Sequence, residues 1–259
     1  MRTWTAAASV LVMLVLGCEE EKVETPAAAS AEPQAAAPPP PAPVVEEKPE
    51  PKKPKKTLAD CSDSKEVEFP SPEFEAAVRL KLQKPEGTVT KADLSRLRSL
   101  NLAQVKLDEL DICFFSQTKN LRELFLGPGK IDDLSPIEGL TKLESLRASM
   151  NPVEDVAPIA KLEKLDRLDL GRTQVRDIAP LASLTKLTEL MLDNTPLSDV
   201  SALGKLEALE IVSLKNTAVK DFSPLTGLKE LKTVYVGGTP GDIVPLLPLK
   251  SRGVKVIDT

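Results

Sequence analysis

The side chains of this chain that could carry chemistry are three cysteines, a row of evenly spaced aspartates, and arginine and aromatic residues set between leucines. Histidine is absent from all 259 residues. That removes the one side chain whose ordinary pKa falls between about 5 and 8, and the commonest metal ligand. Most hydrolytic triads and zinc sites are excluded with it. A carboxylate or lysine mechanism would need a converging pocket that nothing in the sequence specifies, so the chain reads as non-catalytic with no cofactor. The aspartates Asp133, Asp155, Asp177, Asp199 and Asp221 invite a calcium reading, but each stands before its own turn, where a carboxylate accepts backbone N–H groups. Stacked carboxylates without a cation would also repel. They are expected to hold turns, not metal.

The elements that position these residues recur every 22 residues. Leu121, Leu143, Leu165, Leu187, Leu209 and Leu231 form one column, and Leu124, Leu146, Leu168, Leu190, Val212 and Val234 the next. A third is Leu126, Ala148, Leu170, Leu192, Leu214 and Val236. Each unit goes on to a section such as Asp133-Leu134-Ser135-Pro136-Ile137 or Asp177-Ile178-Ala179-Pro180-Leu181. Leu-x-Leu alternation suits a short strand with one buried face, and Asp-apolar-Ser/Ala-Pro suits a turn or a single 3-10 coil. One coil of a solenoid per repeat follows.

This pattern closely resembles the leucine-rich repeats of bacterial internalins, and more distantly those of a regulatory subunit of protein phosphatase 1, from about residue 68 onward. The resemblance implies an α/β solenoid. Its form would be a leucine-rich-repeat horseshoe with short parallel strands on the concave face, turns or 3-10 coils on the convex face, and an N-terminal helical cap. One departure follows the strand, where asparagine stands only at Asn151 while Thr173, Thr195, Thr217 and Thr239 occupy later repeats and Gly129 the first. Threonine can still bond nearby backbone, so a weaker ladder is expected.

Both ends read as capped, as an exposed solenoid core requires. Ser71-Pro72 starts a helix carrying Phe74, Ala77, Val78 and Leu82 on one side, and Thr90 to Asp93 resembles a capping box. Leu97, Leu100 and Leu102 open a first coil two residues longer than the rest. Asp242 to Leu246 repeats the turn section one residue early, and Val254 to Ile257 reads as a last strand of unfixed register.

The strand residues between buried positions are free of core duty. The central column is Asn101, Phe125, Arg147, Asp169, Met191, Ser213 and Tyr235, flanked by Glu123, Arg167, Glu189, Ile211 and Arg172. Phe125, Met191, Ile211 and Tyr235 would be left in water, and with arginine they are types enriched at binding hot spots. The candidate partner-binding set is therefore Phe125, Arg147, Arg167, Asp169, Arg172, Met191, Ile211 and Tyr235. The alternative is scattered surface residues, since single exposed apolar side chains are common.

At the N-terminus a positive start precedes an apolar run from Ala6 to Leu16, too short for the roughly 20 residues that span a bilayer. It reads as an export signal. Val15-Leu16-Gly17-Cys18 resembles the lipobox of bacterial lipoproteins, which implies cleavage before Cys18 and its acylation. Two or three acyl chains anchor stably where one is marginal. Glu19 lacks the aspartate of the enterobacterial retention rule, which favours the outer membrane. The next stretch is almost entirely Pro, Ala, Glu and Lys, too poor in large apolar side chains to fold. It reads as a tether stiffened towards polyproline II, reaching at most roughly 120 Å. Its cluster Lys52, Lys53, Lys55 and Lys56 reads as solvated linker or as a contact for anionic cell-wall polymer.

Cys61 and Cys113 remain, and an exported chain meets an oxidising compartment. Cys113 falls in an apolar column of the first coil and Cys61 just before the capping helix. A bridge stapling cap to solenoid and two separate buried thiols both stay open.

The expected division is signal peptide 1–17, lipid-anchored disordered tether 18–58, N-terminal cap 59–96, and solenoid with C-terminal cap 97–259. Net charge of -5 with no large single-signed block in the body disfavours nucleic acid. The function expected is a lipid-anchored cell-envelope scaffold, its body monomeric, gripping a protein with the concave face. The alternatives are a structural protein tethering membrane to wall, and a carbohydrate binder, which the few aromatic platforms disfavour.

Overall fold

The computed structural model describes residues 56–64 and 66–259. The expected signal peptide, Cys18 and the expected tether before Lys56 lie outside the described residues. No helix among the described residues is long and apolar enough to cross a membrane.

Eight short strands form one parallel sheet in chain order: β1 (Ser99–Leu102), β2 (Glu123–Leu126), β3 (Ser145–Arg147), β4 (Arg167–Asp169), β5 (Glu189–Met191), β6 (Ile211–Ser213), β7 (Thr233–Tyr235) and β8 (Lys255–Ile257). Their register follows the repeat. Leu146, Leu168, Leu190, Val212 and Val234 pair in succession, and the longer first coil sets Leu102 opposite Leu126. The last strand continues the period, with Tyr235 opposite Ile257. All three leucine columns are buried, as are the columns headed by Ile131, Leu134, Ile137 and Leu140, so each coil closes on a continuous apolar core.

Opposite the sheet the coils turn through 3-10 segments, such as Ser135–Ile137, Ala157–Lys161, Ala179–Ser183, Ser201–Lys205 and Ser223–Leu225. The aspartate of each repeat fixes that turn: Oδ1 of Asp155, Asp177, Asp199 and Asp221 each accepts the N–H two residues on at 2.8 Å, and Asp133 does so at 2.9 Å. These bonds hold the Asp199 and Asp221 carboxyls below the usual carboxylate range. Asp242 bonds Val244 in the same way at 2.9 Å, starting the turn at Val244–Leu246.

The residue after the strand behaves as its chemistry allows. Asn151 spans two coils, donating to the Gly127 carbonyl at 3.0 Å and accepting from the Ile131 N–H at 3.2 Å. Thr173, Thr195, Thr217 and Thr239, each with a single hydroxyl, donate only to the carbonyl three residues back in their own coil. Asparagine ties neighbouring coils together; threonine closes one.

The N-terminal cap is built from α1 (Pro72–Leu82) and α2 (Lys91–Leu94). Ser71 Oγ caps α1 through the Phe74 N–H, and Phe74 and Val78 are buried with Ala77 and Leu82 packed beside them. Thr90 and Asp93 form the reciprocal capping box, which Lys84 reinforces at 2.8 Å. In the first coil the position of the 3-10 turn is taken by a helical turn, α3 (Ile112–Phe115), capped by Asp111. That geometry corrects one expectation. Phe114 and Phe115 fill the core, Phe114 standing edge-on to Phe74 at 4.7 Å, while Cys113 is only half-buried. A disulfide joins Cys113 to Cys61, with the Cα atoms 5.3 Å apart. Lys56 and Thr57, at the end of the tether by composition, already engage the body: Lys56 pairs with Asp111 at 3.0 Å and Thr57 bonds Asp60.

At the other end α4 (Leu247–Ser251) precedes β8, and the Arg252 guanidinium donates to the Thr226, Leu228 and Lys229 carbonyls of the preceding coil. Among the described residues no buried side-chain nitrogen or oxygen lacks a partner.

Candidate binding face

In the three-residue strands the middle side chain enters the core, so the residues on either side must face away from it. Parallel register then lines those residues into two rows. One runs Asn101, Phe125, Arg147, Asp169, Met191, Ser213, Tyr235 and Ile257; the other runs Ser99, Glu123, Ser145, Arg167, Glu189, Ile211, Thr233 and Lys255. Of the eight candidate residues, Phe125, Arg147, Asp169, Met191 and Tyr235 share the first row, and Arg167 and Ile211 the second.

Two aromatic and cation pairs stand towards the ends of this face. The Arg147 guanidinium lies 5.9 Å from the Phe125 ring centroid, and its Nε is 3.0 Å from Asp169. Asp169 also accepts from the Ser149 hydroxyl at 3.1 Å and the Gly171 N–H at 3.0 Å. Across the sheet, Lys215 Nζ lies 4.9 Å from the Tyr235 ring centroid. Asp193 accepts there from the Ser213 hydroxyl and the Lys215 N–H. Exposed cation–π contacts and exposed ion pairs each contribute at most about 1 kcal/mol. What they supply is orientation, fixing long side chains before a partner arrives.

The face departs from expectation in three ways. Ser213 is buried rather than exposed, at 3%. Phe125, Met191, Ile211 and Tyr235 are half-buried, because strands about 4.8 Å away on both sides cover their flanks. Arg172 belongs to neither row. It lies past the end of β4 with φ +57°, in a left-handed column with Met150, Asn194, Asn216 and Gly238. The backbone is held there because the N–H groups of Met150, Arg172, Asn194 and Asn216 each bond a carbonyl of the next coil. Asparagine and glycine suit this conformation, whereas other residues lose roughly 1 to 2 kcal/mol in it.

Met150, 45% exposed, does not emerge from strand alternation. The signal that finds it is the asparagine and glycine at the equivalent position of later repeats, which marks the left-handed column. Lys215 and Asp193 also escape the alternation; extending it two residues beyond each strand end reaches them.

Nothing on the face resembles a catalytic centre, and among the described residues no group of three or more Cys, Asp or Glu side chains is placed to hold a metal ion. Two cavities lie in the N-terminal cap instead. One of about 590 Å³ is bordered by Phe69, Glu75, Arg79 and Thr88, and one of about 300 Å³ by Lys56, Cys61, Lys91 and Asp111.

Coils of one strand and one turn, stacked on an unbroken core, define a leucine-rich-repeat solenoid, an architecture that supplies extended surfaces for binding proteins. Residues 163–205 match the family of leucine-rich repeats in two copies. An internalin from Listeria monocytogenes is similar over 73% of this chain and 56% of its own, with 29% identity and a TM-score of 0.64. Internalin C2 from the same species covers 74% of this chain and 93% of its own, at 26% identity and a TM-score of 0.59. The chain thus spans little more than half the length of the first. A leucine-rich-repeat protein of Leptospira interrogans, 18% identical over 63% of this chain and 49% of its own, shares the fold alone, with a TM-score of 0.51. No curated protein sequence matches.

Proposed function

We propose that the chain is a non-catalytic scaffold of the cell envelope, anchored by lipid on Cys18, whose monomeric body binds a protein partner with the exposed face of its sheet. The observation that carries this reading is the alignment of Phe125, Arg147, Asp169, Met191 and Tyr235 along one row, with Arg147 and Lys215 already fixed over aromatic rings. Aromatic, methionine and arginine side chains are the types enriched in interface cores. Eight strands at about 4.8 Å spacing give an arc near 34 Å, ample for the roughly 800 Å² per partner of an ordinary interface. Both rings on this face stand against a cation, which leaves less open surface for stacking a sugar.

The anchor rests on Val15-Leu16-Gly17-Cys18 and the proline-rich stretch that follows. Export to the envelope rests on the same residues, and residence in the outer membrane on Glu19. Photocrosslinking in intact cells from a reactive residue at position 123 or 233, on the same face but outside the candidate set, with identification of the captured species, tests the function. Capture of one defined protein, lost on adding excess unlabelled body, is the expected result. Crosslinks only to polysaccharide, or none above background, would defeat it.

A further inference from the structure

The left-handed column past the strands uses Asn194, Asn216 and Gly238 in its later repeats, residues that suit the conformation, but Met150 and Arg172 after β3 and β4. These two side chains sit on strained backbone, one coil apart. Both project into solvent, with Met150 45% exposed. Neither holds the fold together, since Arg172 makes no side-chain hydrogen bond and no ion pair within 4.0 Å among the described residues, and Met150 does not join the core. Beside them the charges are unequally satisfied. Arg172 follows β4 and Lys215, over the Tyr235 ring, follows β6, so two cations without an ion pair among the described residues stand past the ends of the strands that flank β5, whose last residue is Met191. The carboxylates nearest in register are partly engaged. Asp169 is held by Arg147; Asp193 accepts from the Ser213 hydroxyl and the Lys215 N–H but has no ion pair among the described residues, so it and Glu189 are the competing acids.

We propose that this edge of the face, Met150 and Arg172 together with Met191 and Lys215, receives a partner segment that carries a carboxylate next to an apolar side chain. The inference rests on the reading of the sheet as a protein-binding face and places its specificity at the strand exits. Guanidinium binds carboxylate in a paired, directional geometry, and the two thioethers supply an adaptable apolar floor beside it.

A displayed library of random peptides, panned on the purified chain, tests the idea without knowledge of the natural partner. The expected selection is peptides with Asp or Glu adjacent to Leu, Phe or Met. Such a peptide should bind the double variant Met150→Asn, Arg172→Asn at least tenfold more weakly than the parent. The melting temperature of that variant should be equal or higher, since asparagine suits the left-handed backbone. Changing the peptide's Glu to Gln should weaken binding to the parent and make little further difference to the variant. Selected peptides without carboxylates would overturn the proposal. So would binding that Arg147→Ala with Tyr235→Ala abolishes and the asparagine variant leaves intact, although the sheet would then still be the binding face. Binding that survives both sets of changes would overturn the edge and the face together.

Discussion

Arg147 reaches across two strand boundaries at once, forming an ion pair with Asp169 on β4 at 3.0 Å while its guanidinium stands 5.9 Å from the Phe125 ring centroid on β2. A side chain so placed is ordered but not structural. Asp169 keeps its bonds to Ser149 and Gly171 when the arginine is gone. Arg147→Ala is therefore expected to cost less than about 1 kcal/mol of stability in chemical denaturation, as for an exposed ion pair. Partner binding, followed by titration calorimetry once the partner is in hand, should weaken by about 2 kcal/mol or more if Arg147 is a hot spot. Lys142→Ala, on the flank of the coils, should change neither.

The disulfide between Cys61 and Cys113 closes a sequence separation of 52 residues that includes the whole helical cap. Constraining a loop of that length stabilises by about 2 to 4 kcal/mol. Cys61→Ser and Cys113→Ser should each lower the melting temperature of the oxidised protein. Reductant should lower the parent's to match and leave the variants unmoved. Two reactive thiols in the unfolded, unreduced protein would show that the bridge is absent.

If Cys18 receives the lipid, Cys18→Ser should leave an uncleaved or soluble form, because only a thiol accepts the acyl-bearing group. Fractionation with metabolic lipid labelling checks this. A variant that stays with membranes and keeps its label would remove the anchor from the reading.

Most of this architecture is legible in the chain because a solenoid turns sequence period directly into spatial column. Leu124 and Leu146 stand 22 residues apart in sequence and opposite one another in the sheet. The same arithmetic places Phe125, Arg147 and Asp169 in one row without knowledge of any contact. It fails where a side chain's state depends on the neighbouring coil. The burial of Ser213 depends on a bond to Asp193, 20 residues earlier, and Arg172 leaves the rows because its N–H is committed to the Asp193 carbonyl. By period Cys113 falls in an apolar column, yet a helical turn there sends Phe114 and Phe115 inward and leaves Cys113 half-buried.

Asn151 is where repeat identity should matter most to stability. It is buried at 2%, donates to three carbonyls and accepts the Ile131 N–H, linking the coils of β2 and β3. Asn151→Thr substitutes the residue that serves later repeats but leaves the Ile131 N–H and the Gly127 carbonyl without that side chain. Buried groups stripped of a partner cost about 1 to 3 kcal/mol each. A loss of about 2 kcal/mol or more is expected in denaturant unfolding, against less than about 1 kcal/mol for Thr195→Ser, which keeps its hydroxyl.

Acid should loosen the cap through Asp93. Its carboxylate accepts from Lys84 Nζ at 2.8 Å, from the Thr90 N–H at 2.9 Å and from the Thr90 hydroxyl at 2.8 Å. Lys84 and then these Thr90 bonds hold its pKa well below the usual carboxylate range. A carboxyl whose pKa is depressed by folding binds its proton less readily folded than unfolded, so its stabilisation is complete above the unfolded value near 4. That stabilisation is lost as pH falls from there towards the lower folded value. The parent should therefore lose melting temperature steadily between about pH 5 and pH 2. Asp93→Asn should start lower at pH 7 and show a visibly shallower decline over the same range, since asparagine has no proton to gain. Lys84→Met should fall between the two, because it removes the largest cause of the depression while keeping the Thr90 bonds. Parallel melting curves for parent and Asp93→Asn across that window would show that the capping box carries none of the acid sensitivity.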